Sequence, residues 1–223
     1  MKNIYNRFAG LALSGAVLVS GNVLASDDAG TYEVTVTNIT NGVIFTPIMV
    51  ATHQRGVKLF ELGSAASDEL AQLAEGGNTA PLSGWLMTHG AKDVITGADV
   101  LPPGQSVTLM VEADDDHDYV SVASMLVPTN DAFFAVNGVK GPRKDRSMTM
   151  MVPAYDAGSE NNDELCVSIP GPPFICAGEG YNTTGGEGYV YIHPGIQGVG
   201  DLIAANHAWH NPVAKVTIKF VKH

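Results

Sequence analysis

The sequence predicts an antiparallel β-sandwich, all-β in class with one or two short helical insertions. Short apolar runs with a two-residue alternation recur along the chain, divided by turns rich in Gly, Pro and Asn. The clearest helix pattern is confined to residues 67–75. Once a leader is set aside, the 223-residue chain has the size of one large all-β domain, long enough to bury a core. No repeat and no linker divides it.

The first strand is Tyr32 to Asn38, where Tyr32, Val34 and Val36 face one way and Glu33, Thr35 and Thr37 the other. Val43 to Ala51 is a second apolar run, in which Pro47 marks an edge or a bulge. Val57 to Leu62 reads as a short strand or a turn. Ser67 caps the helix that follows, Asp68 and Glu69 suit its positive end, and Gly76-Gly77 stops it. Its narrow Leu70/Leu73 stripe predicts a helix lying across one end of the sandwich. Leu82 to Met87 adds another turn with Trp85 as anchor. Val107, Leu109 and Val111 form the inward face of a strand over 106–112, and further strands follow at 120–127, 133–139 and 148–152. Gly-rich 179–187 is a loop, 188–193 a strand with Tyr189, Tyr191 and His193 on one face, and Asp201 caps a short helix through Asn206. The closing strand, 213–221, points Ala214, Val216, Ile218 and Phe220 inward.

Lys2 and Arg7 precede an apolar stretch from Ala9 to Val19, and Val23-Leu24-Ala25 ends in the small residues a signal peptidase prefers. The stretch is too short and too rich in Ser and Gly for a spanning anchor. Residues 1–25 therefore read as a signal peptide and 26–223 as the domain, with a secreted or periplasmic destination and no later transmembrane anchor. The net charge is −11, and loss of Lys2 and Arg7 with the leader takes it to −13. That excludes nucleic acid and broad anionic surfaces as partners unless a cation bridges the charge. The two cysteines, Cys166 and Cys176, enclose a Pro-Gly turn, which in an oxidising compartment indicates one stapling disulfide.

Two acidic turns each follow an apolar strand: Pro128-Thr129-Asn130-Asp131 and Tyr155-Asp156-Ala157-Gly158-Ser159-Glu160. Carboxylates at the ends of neighbouring strands can converge as the oxygen cluster that calcium needs. Asp and Asn in turns also serve as plain local hydrogen-bond formers. The stretches Ser124-Met125-Leu126-Val127-Pro128-Thr129-Asn130-Asp131-Ala132-Phe133 and Val152-Pro153-Ala154-Tyr155-Asp156-Ala157-Gly158-Ser159-Glu160 resemble the two acidic turns of the spondin N-terminal domain family. Segments at 51–63, 67–75 and 211–216 agree in order. The resemblance implies a calcium-binding sandwich of the kind found in calcium-dependent lipid-binding domains, with Asp131, Asp156 and Glu160 as ligands of Ca2+. Glu160 stands where the animal pattern has Asp. It also implies a non-enzymatic adhesion or matrix module whose partner is an extracellular or cell-surface protein, glycan or lipid headgroup.

The run Asp114-Asp115-Asp116-His117-Asp118 is a hairpin loop of solvated charge. The strand between it and Asp131 separates the two by roughly 30 Å at about 3.3 Å per residue. Lys140, Arg143, Lys144 and Arg146 form a basic loop that reads as a solvated loop or as a contact for a sulfated glycan or phospholipid headgroup. The rival function is a secreted metal-dependent hydrolase built on His193, His207 and His210, which requires those three imidazoles to meet in one concave pocket.

Overall fold

The computed structural model describes residues 29–222 except 145 and 184. The expected leader over 1–25 lies outside the described residues. Two antiparallel sheets pack face to face. The smaller has strand order β5-β1-β11-β8, formed by β5 (Ser106–Ala113), β1 (Gly30–Asn38), β11 (Ala214–Lys222) and β8 (Ser147–Val152). In the larger, β10 (Tyr191–Ile192), β9 (Ala154–Asp156), β7 (Ala132–Lys140), β6 (Tyr119–Val127), β3 (Met49–His53) and β4 (Ala91–Thr96) follow one another, and β2 (Ile44–Phe45) pairs with β6.

Alternation explains the smaller sheet. Tyr32, Val34 and Val36 of β1 and Val216, Ile218 and Phe220 of β11 point into the sandwich, against Val120, Val122 and Phe134 of the larger sheet. At about 1.5–3 kcal/mol for each large apolar side chain removed from water, this layer is the main source of stability. The outer face is polar, with Thr35 bonded to Thr108 and Thr149 to Thr217 across neighbouring strands.

The centre of the larger sheet is buried on both faces, so β6 and β7 show almost no exposed position. Phe134 faces the sandwich, whereas the adjacent Phe133 faces a second apolar cluster with Leu70, Leu73, Leu82 and Leu86. Those leucines belong to α1 (Asp68–Gly76) and α2 (Ala80–Thr88). The helices thus cover the outer face of the larger sheet, not an end of the sandwich. An end-on helix would have left the second face of β6 wet. In α1, Ser67 accepts from the Leu70 amide at 3.3 Å and Gly77 closes the helix at φ 65°, as its caps predict. Trp85 is only half-buried and stacks on His89, so Leu82 and Leu86 anchor α2 instead.

Other expectations change locally. Residues 57–62 form no strand, and Leu59 and Phe60 enter the core from a turn. The run at 43–51 splits into β2 and β3 around Pro47. The strand expected at 188–193 shrinks to β10, with Val190 and His193 both buried instead of on opposite faces. Asp201 caps no helix. It accepts from the Cys166 amide at 2.9 Å, and α3 (Ala204–His207) starts after Ile203 without a side-chain cap. Cys166 and Cys176 form the expected disulfide. Among the described residues no helix is long and apolar enough to cross a membrane.

Candidate functional site: four buried acids at one end of the sandwich

β6 and β7 are joined by the turn at 128–131, and β9 runs antiparallel to β7 with Asp156 opposite Ala132. This register sets Asp131, just before β7, beside Asp156, the last residue of β9. Both are fully buried. Thr129 stabilises the first turn: its hydroxyl donates to Leu126 O and accepts from the Ala132 amide. In the second turn Gly158 has φ 64°, and a Cβ there would stand 2.3 Å from Tyr189 O. Only glycine lets this turn close against the 185–190 loop.

Asp131 Oδ2 accepts from the amides of Ser159 (2.8 Å) and Glu160 (3.1 Å), while Oδ1 is buried without a hydrogen-bond partner. Asp156 Oδ1 accepts from the Gly158 amide at 2.8 Å and Oδ2 from Asn162 at 2.6 Å. Burial raises both acids above the usual carboxylate range, and the charge of Asp156 pushes Asp131 further up. The pair therefore holds a proton to higher pH than an exposed pair would. Tyr191 is raised too, by burial and by Asp156.

Glu160 joins this cluster through its backbone, while its carboxylate meets a different acid. The charge pressing hardest on it is that of Glu75, and burial together with Glu75 lifts it to about 8. Glu75 lies in the last turn of α1, fully buried, and is itself raised by burial. Asn182 spans the two acids: its amide donates to Glu75 Oε2 at 2.9 Å and its side chain to Glu160 Oε1 at 3.3 Å. Glu75 Oε1 and Glu160 Oε2 accept no hydrogen bond. The acids thus come as two pairs, Asp131/Asp156 and Glu75/Glu160, joined by Ser159. Among the described residues no lysine or arginine forms an ion pair with them, and no three His, Cys, Asp or Glu side chains converge as a metal-holding group. The donor atoms of both pairs are nevertheless all oxygens, the type that hard divalent cations take.

Neither Glu75 nor His193 is singled out for this site by the sequence. The Gly195 amide donates to His193 Nδ1 at 2.9 Å, so the neutral ring carries its proton on Nε2, which faces Asp156 Oδ2 at 3.7 Å. Burial lowers His193 to about 4, which leaves it neutral at neutral pH. The three histidines of the hydrolase reading do not meet. His193 is buried beside Trp209, His207 contacts Gly42 O at 3.1 Å, and His210 is exposed. Their separation leaves that reading without support.

At the other end, the 114–118 loop is paired with basic groups and not simply solvated. Asp114 meets Lys92 at 3.0 Å and His117 at 2.7 Å. Burial would raise Asp114, but these partners outweigh it and bring it down to about 2. Arg143 bonds Asp115 and Asp118, and Lys140 approaches Asp118 at 3.4 Å. Of the four basic residues considered for an anionic ligand, Lys140 and Arg143 are thus held by acids of the chain, while Lys144 and Arg146 are exposed.

No curated protein matches the chain. The model of the Spondin_N family matches residues 37–165, more than half of the chain and both acidic turns, and the chain belongs to that family.

Proposed function

We propose that this protein is a calcium-binding extracellular module that works by adhesion or by binding matrix or cell-surface ligands, without catalysis. Membership of Spondin_N, a family of non-catalytic extracellular domains, supports the general class. The observation that carries calcium is the Asp131/Asp156 pair: two fully buried carboxylates, one oxygen of Asp131 without a hydrogen-bond partner, and no lysine or arginine ion-paired to them among the described residues. Burying an unpaired charge is costly, and a divalent cation removes that cost by taking the place of the retained proton. Asp131 and Asp156 would hold the ion. Glu160, the third acid of the expected ligand set, reaches this pair through its amide, which donates to Asp131. Bound there, calcium supplies charge neutralisation and ties the start of β7 to the end of β9. The disulfide and the leader read from residues 1–25 fit a secreted or periplasmic address.

The test is calorimetric titration of the purified protein with calcium chloride, with a thermal melt in calcium and in chelator. We expect saturable binding with Kd about 10⁻⁴ to 10⁻³ M, the range of extracellular modules. The rise in melting temperature should be clearly smaller in Asp131→Ala and Asp156→Ala. Absence of binding together with an unchanged melt would overturn the reading. Partner screens against matrix proteins, glycans and lipid vesicles should then be run in calcium and in chelator.

A further inference from the structure

We propose that Glu75 and Glu160 form a second cation seat beside the Asp131/Asp156 pair, so that this end of the sandwich takes two calcium ions. The proposal rests on the reading of the first pair as a calcium site. Three observations carry it. Glu75 is fully buried and Glu160 nearly so, and each has one carboxylate oxygen without a hydrogen-bond partner. A carboxylate buried in this way is costly unless something positive or a proton meets it. Glu75 also occupies the last turn of α1, which contains no basic residue. The helix carbonyls already present partial negative charge there, so an acid in that position is opposed by its own helix. A cation relieves both penalties at once.

The second pair is built into the fold from separate parts of the chain. α1 brings Glu75, the second acidic turn brings Glu160, and Asn182 spans them through its amide and its side chain. A cleft of about 370 Å³, lined by Asp68, Ala71, Gly158, Ser159, Asn182 and Thr183 among others, opens between α1 and residues 181–183. It brings solvent to Ser159 and Asn182, the neighbours of the pair, while Glu75 and Glu160 lie behind its wall. Ser159 joins the two seats: its amide donates to Asp131, and the residue after it is Glu160. Glu160 thus links the two seats through its backbone, since its amide also donates to Asp131, while its carboxylate serves the second. The rival account is a proton shared permanently between Glu75 and Glu160, with no ion involved.

Calcium stoichiometry separates the two accounts. Titration calorimetry with calcium chloride should show two equivalents for the wild-type protein and one for Glu75→Gln, a substitution that keeps the shape and leaves an acceptor for the Asn182 amide. Asp131→Asn combined with Asp156→Asn should also retain one, lost on adding Glu75→Gln. Circular dichroism checks that each variant is folded, and if Glu75→Gln is not, Glu75→Asp, with a shortened arm, should weaken one of the two binding events at least tenfold. One equivalent in the wild type, unchanged by Glu75→Gln, would overturn the second seat and leave the first intact. Loss of all binding in folded Glu75→Gln would overturn the idea of separate seats. Failure of the wild type to bind calcium at all would overturn both readings together.

Discussion

The two ends of the sandwich both carry clustered acids, and they handle them in opposite ways. At the 114–118 end each principal carboxylate has a cation of the chain beside it: Lys92 for Asp114, Arg143 for Asp115, Arg143 and Lys140 for Asp118. At the other end Asp131, Asp156, Glu75 and Glu160 are buried with hydrogen-bond donors but no lysine or arginine ion-paired to them among the described residues. The first arrangement is complete within the fold. The second is complete only with protons or with a cation from outside. A nearby contrast confirms that burial alone does not leave an acid short of partners. Glu164, also buried, accepts from the amides of Gln197, Gly198 and Val199.

The comparison breaks most severely at Asp131. Asp131→Ala strands the buried amides of Ser159 and Glu160, at about 1–3 kcal/mol each. We expect a loss of about 2–4 kcal/mol in urea unfolding with chelator present, part of the cost being offset by relief of the charge on Asp156. Asp131→Asn keeps an acceptor and should cost clearly less, while still weakening the first of the two calcium-binding events. Equal destabilisation by both would show that charge, and not amide satisfaction, dominates here. Next comes the disulfide loop, which packs at the same end beside Gly76, Met125 and Val127. Cys166→Ser with Cys176→Ser should lower stability by about 2–3 kcal/mol through loop entropy. Its calcium stoichiometry should be unchanged, because neither cysteine touches the acid pairs.

What the sequence reveals of this site follows from how local each signal is. The caps of α1 are legible because Ser67 and Gly77 act on amides and carbonyls within one turn. Asp131 and Asp156 are legible because they end adjacent strands, and pairing alone brings them together. Glu75 is not, because its burial depends on Asn182, 107 residues away, and from the sequence alone it reads as the polar tail of an amphipathic helix. The one clue was an acid in a helix's last turn without a basic neighbour. β4 escaped notice because its positions are nearly all half-exposed, which leaves no alternation to read. The position of the helices is not legible, because an apolar stripe shows that something is covered, not which surface.

The difference between the ends also predicts opposite responses to pH. Glu160 is raised to about 8 in the folded protein, against an ordinary value near 4.5. Folding then favours its protonated form. Its contribution to stability is fully present below about 4.5 and is lost as pH rises towards 8. Glu75, Asp131 and Asp156 are shifted in the same direction. Asp114, lowered to about 2, behaves in reverse: its contribution is present above its ordinary value and is lost only as the pH falls towards 2. In chelator the melting temperature should therefore fall between pH 5 and pH 8, and calcium should restore more of it at pH 8 than at pH 5 because it no longer competes with the bound protons. A chelated protein that melts higher at pH 8 than at pH 5 would contradict the buried, proton-holding acids.

The smallest effects belong to the paired end, and they test the comparison most sharply because the run at 114–118 is the chain's most conspicuous acidic feature. Arg143→Met removes the partner of Asp115 and one partner of the buried Asp118, but Lys140 remains at 3.4 Å. A loss of about 1 kcal/mol is expected, smaller in high salt as exposed pairs are screened. Asp116 is exposed and forms no ion pair among the described residues, so Asp116→Ala should change stability by less than about 0.5 kcal/mol. Neither substitution should alter the number of calcium ions bound. If Asp116→Ala removed an equivalent of calcium while Asp156→Ala did not, the assignment would be reversed: the exposed run would be the cation site, and the buried acids would hold only protons.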